Sequence, residues 1–347
     1  MEYLRNAWYA AGSTTEIGRT PLRRVLLDQP VVFFRKEDGS AVALADRCPH
    51  RFAPLSRGRL VGDELQCGYH GLRFDASGAC THNPHGGPIP RQARVRAYPL
   101  LERHGFVWIW MGDAAADPAL LPDLAPFGRS DGHATVDGYL RIAANYQLIT
   151  DNLLDLSHVE FLHAAFAVQD VLETSRTELL RDGNTIHSNR WKPSCTVSRF
   201  LRMFWQSASE RGDARANMRW DPPAIMFLDV GVTEVGAAIE DGVTTPFLHL
   251  LTPESATSTH YFWAMIRDRQ IDDTEVDARV KRIVTQAFAE EDEPMIEAQQ
   301  QQIGPDVDLM ELGPVLLQPD AAAVNARRTL SRLIAEEQAM PARRTAT

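Results

Sequence analysis

Two short segments of the sequence each carry one cysteine and one histidine at close spacing. Cys48 and His50 form the first pair, Cys67 and His70 form the second, and residues 51–66 separate them. A zinc site of two cysteines and two histidines usually pairs like with like and places the histidines on a helix. A mixed pair in each segment suits a two-iron cluster, in which one iron takes both thiolates and the other takes both imidazoles. We therefore predict an iron-sulfur cluster at these four residues.

A second group of metal-ligand residues follows further along the chain. His158 and His163 are five positions apart, so on an ideal helix their side chains would diverge by about 140°. Both can bind one metal only if a π-bulge or a helix end intervenes, and such irregularities concentrate at functional sites. The acidic run at 290–293 offers a carboxylate. Two histidines and one carboxylate are typical of non-haem Fe(II) sites that leave positions open for dioxygen and substrate.

The elements that position the first group are predicted to be strands. Residues 20–112 contain short apolar runs separated by turn signals such as Asp38-Gly39 and Gly62-Asp63, which favour hairpins. An Ala/Pro/Asp-rich stretch follows the apolar run that ends at Met111. At roughly 150 residues per domain the length predicts about two domains. We place them at residues 1–113, an antiparallel β domain, and 114–347.

The second domain is predicted to mix helices and strands. Asn145–Ala165 lacks Gly and Pro and spaces its leucines helically, which predicts one helix carrying both histidines. A strand-rich stretch follows, and Thr274–Gln302 is predicted to be a long acidic helix that Pro294 kinks. Strands followed by helices indicate the α+β class.

Composition excludes several classes of protein. The formal charge of −10 opposes a strong attraction to nucleic acid or anionic membranes. The N-terminus shows no secretory signal, and no run of 18 apolar residues predicts a membrane-spanning helix. Four cysteines are too few for a disulfide framework, so we expect a cytoplasmic protein in which Cys80 and Cys195 pack in the core. His82 and His85 are not expected to bind metal.

Several segments together resemble one enzyme family. They are RNAWYAAG, CPHRFAPLSRGRLVGDELQCGYHGLRFDASG, FVWIWMGD, DNLLDLSHVEFLH, LLTPESATSTHYFWAMIRD and DEPMIEAQQQQ, spread over nearly the whole chain. The sequence is similar to the oxygenase components of Rieske non-haem iron aromatic oxygenases of the vanillate O-demethylase and dicamba monooxygenase type. The resemblance implies a Rieske [2Fe-2S] domain followed by a helix-grip (START-like) domain that holds one mononuclear iron.

The resemblance also implies roles for individual residues of the second domain. The iron ligands would be His158, His163 and Asp292, with Glu291 as the runner-up because the acidic run has one more acid than the family pattern. Asp155 would accept the second imidazole N–H of His158 and contact the cluster histidine of a neighbouring subunit, which corresponds to His70. Asn152 would lie in the active site. These two residues are therefore candidate catalytic residues.

Further expectations concern the substrate and the partners. His249 corresponds to a polar residue that contacts substrate in dicamba-type enzymes, and Leu228 occupies another such position. Arg199, Arg202, Arg219 and Arg267 are possible acid-binding residues, although each is expected to lie at the surface or in an ion pair. The family arrangement is a homotrimer with electron transfer between subunits. A separate flavin and ferredoxin-type reductase would carry electrons from NADH.

The function that follows from these expectations is O-demethylation of a methoxylated, vanillate-like aromatic acid to a phenol and formaldehyde, using dioxygen. Three alternatives remain open. The same machinery could carry out N-dealkylation or ring hydroxylation of another aromatic substrate. A chain with a cluster but no catalytic iron would be an electron-transfer or binding protein, and a structural zinc protein would be colourless.

Overall fold

A computed structural model describes residues 2–128, 131–168, 174–305 and 308–339 of the protein, which form two units. The N-terminal unit consists mainly of Tyr3–Leu121 together with Thr252–Ser255, and the other mainly of Pro122–Leu251 and Ala256–Ala339. The sequence predicts a boundary near residue 113, whereas chain contacts group residues as far as Leu121 with the N-terminal unit. The class is α+β.

Residues 3–121 form short strands in three antiparallel sheets. The strands are Trp8–Ser13 (β1), Leu22–Leu26 (β2), Gln29–Arg35 (β3), Ala41–Ala45 (β4), Arg59–Val61 (β5), Glu64–Gln66 (β6), Arg73–Phe74 (β7), Cys80–His82 (β8), Leu100–Arg103 (β9) and Phe106–Trp110 (β10). The sheet orders are β1-β10-β9, β2-β3-β4 and β5-β6-β7-β8. Gly39 and Gly62 have positive φ at the turns of two hairpins, as the turn signals predict.

The second unit contains a larger antiparallel sheet. Its strands are Ala134–Ile142 (β11), Arg176–Asp182 (β12), Thr185–Thr196 (β13), Arg211–Asp221 (β14), Ile225–Thr233 (β15), Val243–Thr244 (β16), Phe247–Ser255 (β17) and Ser258–Arg267 (β18). They follow the order β11-β18-β17-β15-β14-β13-β12, and β16 pairs with β15. Alternate residues of β13 are buried, so one face of this strand points into the unit.

The helices of the second unit differ from the sequence prediction in one respect that matters for the metal ligands. They are Tyr146–Leu154 (α1), Val159–Leu162 (α2), Thr274–Thr285 (α3), Glu293–Ile303 (α4) and Ala321–Ala339 (α5). The predicted helix over Asn145–Ala165 is thus two helices. Asp155 breaks it with φ −99° and ψ 83°, and its carboxylate accepts the Ser157 N–H at 2.9 Å. In the described part of the chain no helix has the length and apolar character to cross a membrane.

The long helix predicted over Thr274–Gln302 contains a π-helical segment instead of a simple proline kink. Gln286–Asp292 separates α3 from α4, and the Glu293 N–H donates to the carbonyl of Phe288, five residues back. Pro294 lies in the first turn of α4, where a missing N–H costs little. The wider π turn therefore decides how the acidic run is presented to the rest of the unit.

A buried ion pair attaches α5 to α1. Arg327 is 7% exposed, and its Nε and Nη2 atoms lie 2.9 and 2.6 Å from the same carboxylate oxygen of Asp151. Its Nη1 donates to Gln147 at 3.1 Å. Because Asp151 directly precedes Asn152, this contact fixes the part of α1 nearest the candidate active site.

Removing this arginine is expected to destabilise the second unit. Arg327→Met leaves the Asp151 carboxylate, whose side chain is 18% exposed, without its partner, and loss of one member of a fully buried pair costs about 3–5 kcal/mol as an upper bound. Urea unfolding of the two proteins measures the difference. Arg332→Met is the matched control on the same helix, because Arg332 pairs with Glu336 at the surface and such pairs contribute about 0–1 kcal/mol. Equal effects of the two substitutions would contradict a special role for Arg327.

Candidate active site

The two cysteine-histidine segments form two loops of the same local structure. The Phe52 N–H donates to the Cys48 carbonyl at 2.9 Å, and the Gly71 N–H donates to the Cys67 carbonyl at 3.0 Å. Phe52 and Gly71 both have positive φ, at 59° and 76°. Each loop therefore turns tightly at the same position after its cysteine. The two loops share this turn, and each carries one thiol and one imidazole.

The side chains of these loops fall into a pair of buried thiols and a pair of more exposed imidazoles. Cys48 and Cys67 are each 2% exposed, while the rings of His50 and His70 lie nearer the surface with centroids 4.5 Å apart. Burial raises the pKa of the Cys48 thiol to about 11. Two buried thiols ionise to thiolates only when a positive charge lies close to them, and bound iron would supply that charge. His85 contacts the His70 carbonyl through Nε2 at 3.1 Å.

Three donor atoms converge in the second unit. The Nε2 atoms of His158 and His163 are 3.2 Å apart, and Asp292 places carboxylate oxygens 3.6 and 3.2 Å from them. His158 precedes α2 and His163 follows it, so a helix end on each side resolves the divergence expected of a regular helix. One metal ion could take all three ligands, since their ligating atoms lie within 4.8 Å of one another.

The outer nitrogen of each imidazole is held by a hydrogen bond. His158 Nδ1 lies 2.6 Å from the main-chain carbonyl of Asp155, and His163 Nδ1 lies 2.8 Å from Glu291 Oε2. Donation at Nδ1 leaves the Nε2 lone pairs free for a metal. Burial lowers the pKa of His163, but Asp292 and then Glu291 outweigh it, so the net shift is upward.

One expected contact differs in detail. The carboxylate of Asp155 was expected to accept the His158 N–H, but its carbonyl does so because the carboxylate caps Ser157. Glu291, the runner-up ligand, lies on the opposite side of the His163 ring from Asp292. The structure thus brings Asp292 to the ligating nitrogens and Glu291 to the outer one.

Asn152 and α4 hold the carboxylate ligand in place. The Asn152 side-chain amide donates to Asp292 Oδ1 at 3.1 Å. Further along α4, Glu297 accepts the Ala143 N–H and Gln300 accepts the Asn145 N–H, both at 2.8 Å. These bonds fix α4 to the segment that leads into α1, so Asp292 and Asn152 face each other.

A mostly apolar cavity of about 110 Å³ adjoins the three donors. Its walls include Phe166, Leu228 and Phe288, and His249 lies among them. The ring of His249 is 1% exposed, and burial lowers its pKa to about 3. Its Nδ1 bonds to the Tyr261 hydroxyl at 2.7 Å, whereas Nε2 has no partner in the described residues. A neutral histidine can therefore offer one hydrogen bond to a bound molecule.

Sequence reasoning missed three charged residues beside this cavity. Glu160, Arg190 and Lys192 form a buried ion cluster, and Lys192 lies on the cavity wall. Arg190 and Lys192 stand at alternate positions of β13, so the sequence indicates that they share one strand face but not that this face borders the cavity. Two of the four arginines suggested for acid binding are in ion pairs, Arg267 with Asp277 and Arg219 with Asp221.

The fold and the two metal sites define a class of protein, and comparison with known families agrees. Residues 7–99 match the Rieske [2Fe-2S] domain, and residues 142–336 match the vanillate O-demethylase oxygenase C-terminal domain. The chain therefore belongs to the Rieske non-haem iron oxygenases of the vanillate O-demethylase type. It is an oxidoreductase whose cofactors are a Rieske cluster and one mononuclear iron.

Individual relatives match over almost the whole chain. The dicamba O-demethylase oxygenase component of Stenotrophomonas maltophilia is 39% identical, covering 96% of this chain and 98% of its own length. The chloroacetanilide N-alkylformylase oxygenase component of Rhizorhabdus wittichii is 34% identical, covering 96% and 97%. A crystal structure of dicamba monooxygenase with non-haem iron and dicamba is 36% identical, with a TM-score of 0.83 and coverage of 98% and 99%. The name "oxygenase component" implies a separate reductase.

Proposed function

We propose that this protein is the terminal oxygenase component of an O-demethylase that acts on a methoxylated, vanillate-like aromatic acid. The observation that carries the proposal is the convergence of His158, His163 and Asp292 beside an apolar cavity. A cavity of about 110 Å³ is of the order that takes one aromatic ring, since a 150 Å³ apolar cavity binds benzene.

The overall reaction balances with one dioxygen and one NADH. The methoxyl carbon is hydroxylated, and the resulting hemiacetal collapses to a phenol and formaldehyde, while the second oxygen atom leaves as water. The bound iron supplies activation of dioxygen, with electrons that enter through the cluster. The cluster would be held by Cys48, Cys67, His50 and His70.

The protein residues supply positioning and exclusion of water. Asp155 and Glu291 fix the orientation of the two imidazoles, and Asn152 fixes the carboxylate. Apolar walls exclude bulk water from the substrate, so polar contacts inside the cavity are strengthened. Because Nε2 of His249 lacks a protein partner, we assign it a hydrogen bond to the substrate.

We infer that the partners are a flavin and ferredoxin-type reductase and two further copies of the chain in a cytoplasmic homotrimer. Phe52 and Tyr69 support a docking surface, because they are 62% and 67% exposed next to the cluster ligands. In such a trimer His70 of one subunit would meet Asp155 of the next. Light scattering of the purified holoprotein tests the trimer.

Product analysis tests the proposed reaction. The purified protein with a reductase, NADH and dioxygen is expected to release formaldehyde and the matching phenol from methoxylated benzoic acids. Mass spectrometry and a formaldehyde assay measure both products. The panel includes N-alkyl anilides, since one relative is named for N-dealkylation and the same iron site would serve that reaction. Absence of formaldehyde with every methoxylated acid would sink the O-demethylase assignment.

A further inference from the structure

One carboxylate in α2, the short helix between His158 and His163, forms ion pairs with two basic side chains. The side chain of Glu160, in α2, is fully buried and its Oε1 accepts from Arg190 Nη1 at 3.0 Å and from Lys192 Nζ at 2.6 Å. Its Oε2 accepts the Val168 N–H at 2.5 Å. Arg190 also donates to the carbonyl of Leu156 at 2.8 Å. Arg190 Nη2 donates to Ser175 Oγ at 3.3 Å, so the contacts of Arg190 hold α2 and the chain around Ser175 against β13.

Among the described residues this cluster has two positive charges and one negative charge. Arg190 and Lys192 are 5% and 8% exposed, and within the described residues Glu160 is the one acid paired with them. A buried charge without a counterion is costly. Consistently, burial lowers the pKa of Lys192, although Glu160 acts in the opposite direction. An anion beside Lys192 would compensate the charge.

Lys192 is the member of the cluster that reaches the substrate cavity. It lies opposite Ala214 in the strand register, and both residues line the cavity. Its ammonium group has three N–H donors, and Glu160 is its one hydrogen-bond partner in the described chain. Arg215 also borders the cavity; its Nε and Nη2 atoms bind Asp229 at 2.7 and 3.1 Å, and its Nη1 has no partner in the described residues. Because Asp229 compensates the charge of Arg215, Lys192 is the cavity cation whose charge is left for an anionic ligand.

We propose that the Lys192 ammonium group binds the acid group, carboxylate or sulfonate, of the aromatic substrate and so selects anionic over neutral substrates. This inference rests on the proposed function, because it concerns the same cavity. It assigns the acid-binding role to a lysine that the sequence comparison with dicamba-type enzymes did not suggest. Lys192 is a specificity-determining residue in this scheme and takes no part in oxygen chemistry.

Binding of vanillate and vanillamide to the holoenzyme tests this role, because the two molecules differ in charge but little in shape. Isothermal titration under anaerobic conditions gives both Kd values. Lys192→Met is expected to weaken vanillate binding by about tenfold to a hundredfold, the usual range for a charge-assisted hydrogen bond, and to change vanillamide binding by less than about threefold. Lys192→Arg is expected to restore most of the vanillate affinity. The exposed Lys281→Met is the matched control and should change neither Kd.

Stability separates a ligand-binding lysine from a merely structural one. Lys192→Met leaves a neutral Glu160–Arg190 pair, so the melting temperature should stay the same or rise. A lower melting temperature with equal losses for acid and amide would show that Lys192 only supports Glu160 and would overturn the proposal. So would a wild-type enzyme that binds the amide as tightly as the acid. If Lys192→Met selectively weakens vanillate binding but the wild-type enzyme releases no formaldehyde, the acid-binding role of Lys192 stands and the O-demethylase assignment is rejected.

Lysine labelling provides a measurement that does not depend on a variant. The chain contains three lysines, Lys36, Lys192 and Lys281. Reductive methylation with ¹³C-formaldehyde gives separate dimethyl-lysine NMR signals. The Lys192 signal should shift on addition of vanillate and much less with vanillamide, while the other two stay fixed. An unmoved Lys192 signal at saturating vanillate would overturn the proposal.

Discussion

Replacing His163 by alanine is expected to abolish turnover while the protein keeps its red-brown cluster. His163 Nε2 lies 3.2 Å from both His158 Nε2 and an oxygen of Asp292, so its loss removes one of three ligands at the iron site. The cluster ligands belong to the other unit and are unchanged. Iron analysis should show loss of the mononuclear iron with the two irons of the cluster retained. Visible absorbance and the product assay complete the measurement.

The matched control is His133→Ala. His133 lies in a loop before β11, where its Nδ1 contacts the Asp131 carbonyl at 2.9 Å, so its removal should leave turnover and iron content unchanged. Circular dichroism shows whether each variant is folded. Full turnover by a folded His163→Ala protein would contradict the ligand assignment. It would then favour a protein whose cluster works without a mononuclear iron.

The spacing of His158 and His163 predicts a helix end or π-bulge between them, because it restricts the backbone. Two histidines five positions apart on a regular helix cannot bind the same metal ion, and in the structure α2 begins after His158 and ends before His163. The two cysteine-histidine pairs could also be recognised in the sequence, because each pair lies within one tight loop. In both cases local geometry over a few residues determines which atoms can meet.

Features that depend on distant packing could not be read from the sequence. The choice between Glu291 and Asp292 depends on a π turn, and nothing local to the acidic run fixes its width. The contact of Arg327 with Asp151 joins residues 176 positions apart. Lys192 is recognisable as a cavity residue only once the sheet register is known. Each of these three features depends on contacts between residues far apart in the sequence. The residue types alone do not determine such contacts.

The adjacent acids Asp292 and Glu291 are expected to differ sharply in their effect on the iron. Asp292→Asn removes the negative charge from the ligand facing both Nε2 atoms, and the amide is a weaker ligand for Fe(II). Glu291 contacts the His163 ring at the outer nitrogen and also accepts from Gln286, so Glu291→Gln should lower iron affinity by about 10- to 100-fold, as loss of an orienting partner does. The loss in Asp292→Asn should exceed this range.

Competition for Fe(II) against a chelator measures these affinities directly, before any turnover assay. Glu290→Gln is the matched control, because Glu290 is an exposed acid of the same run and its loss changes the net charge equally. Its iron affinity should equal that of the wild type, which would show that the loss of one negative charge from this run does not by itself weaken iron binding. If Glu291→Gln lost iron more completely than Asp292→Asn, the ligand would be Glu291. The π turn would then have to present the acids in the opposite order, with Asp292 supporting the imidazole.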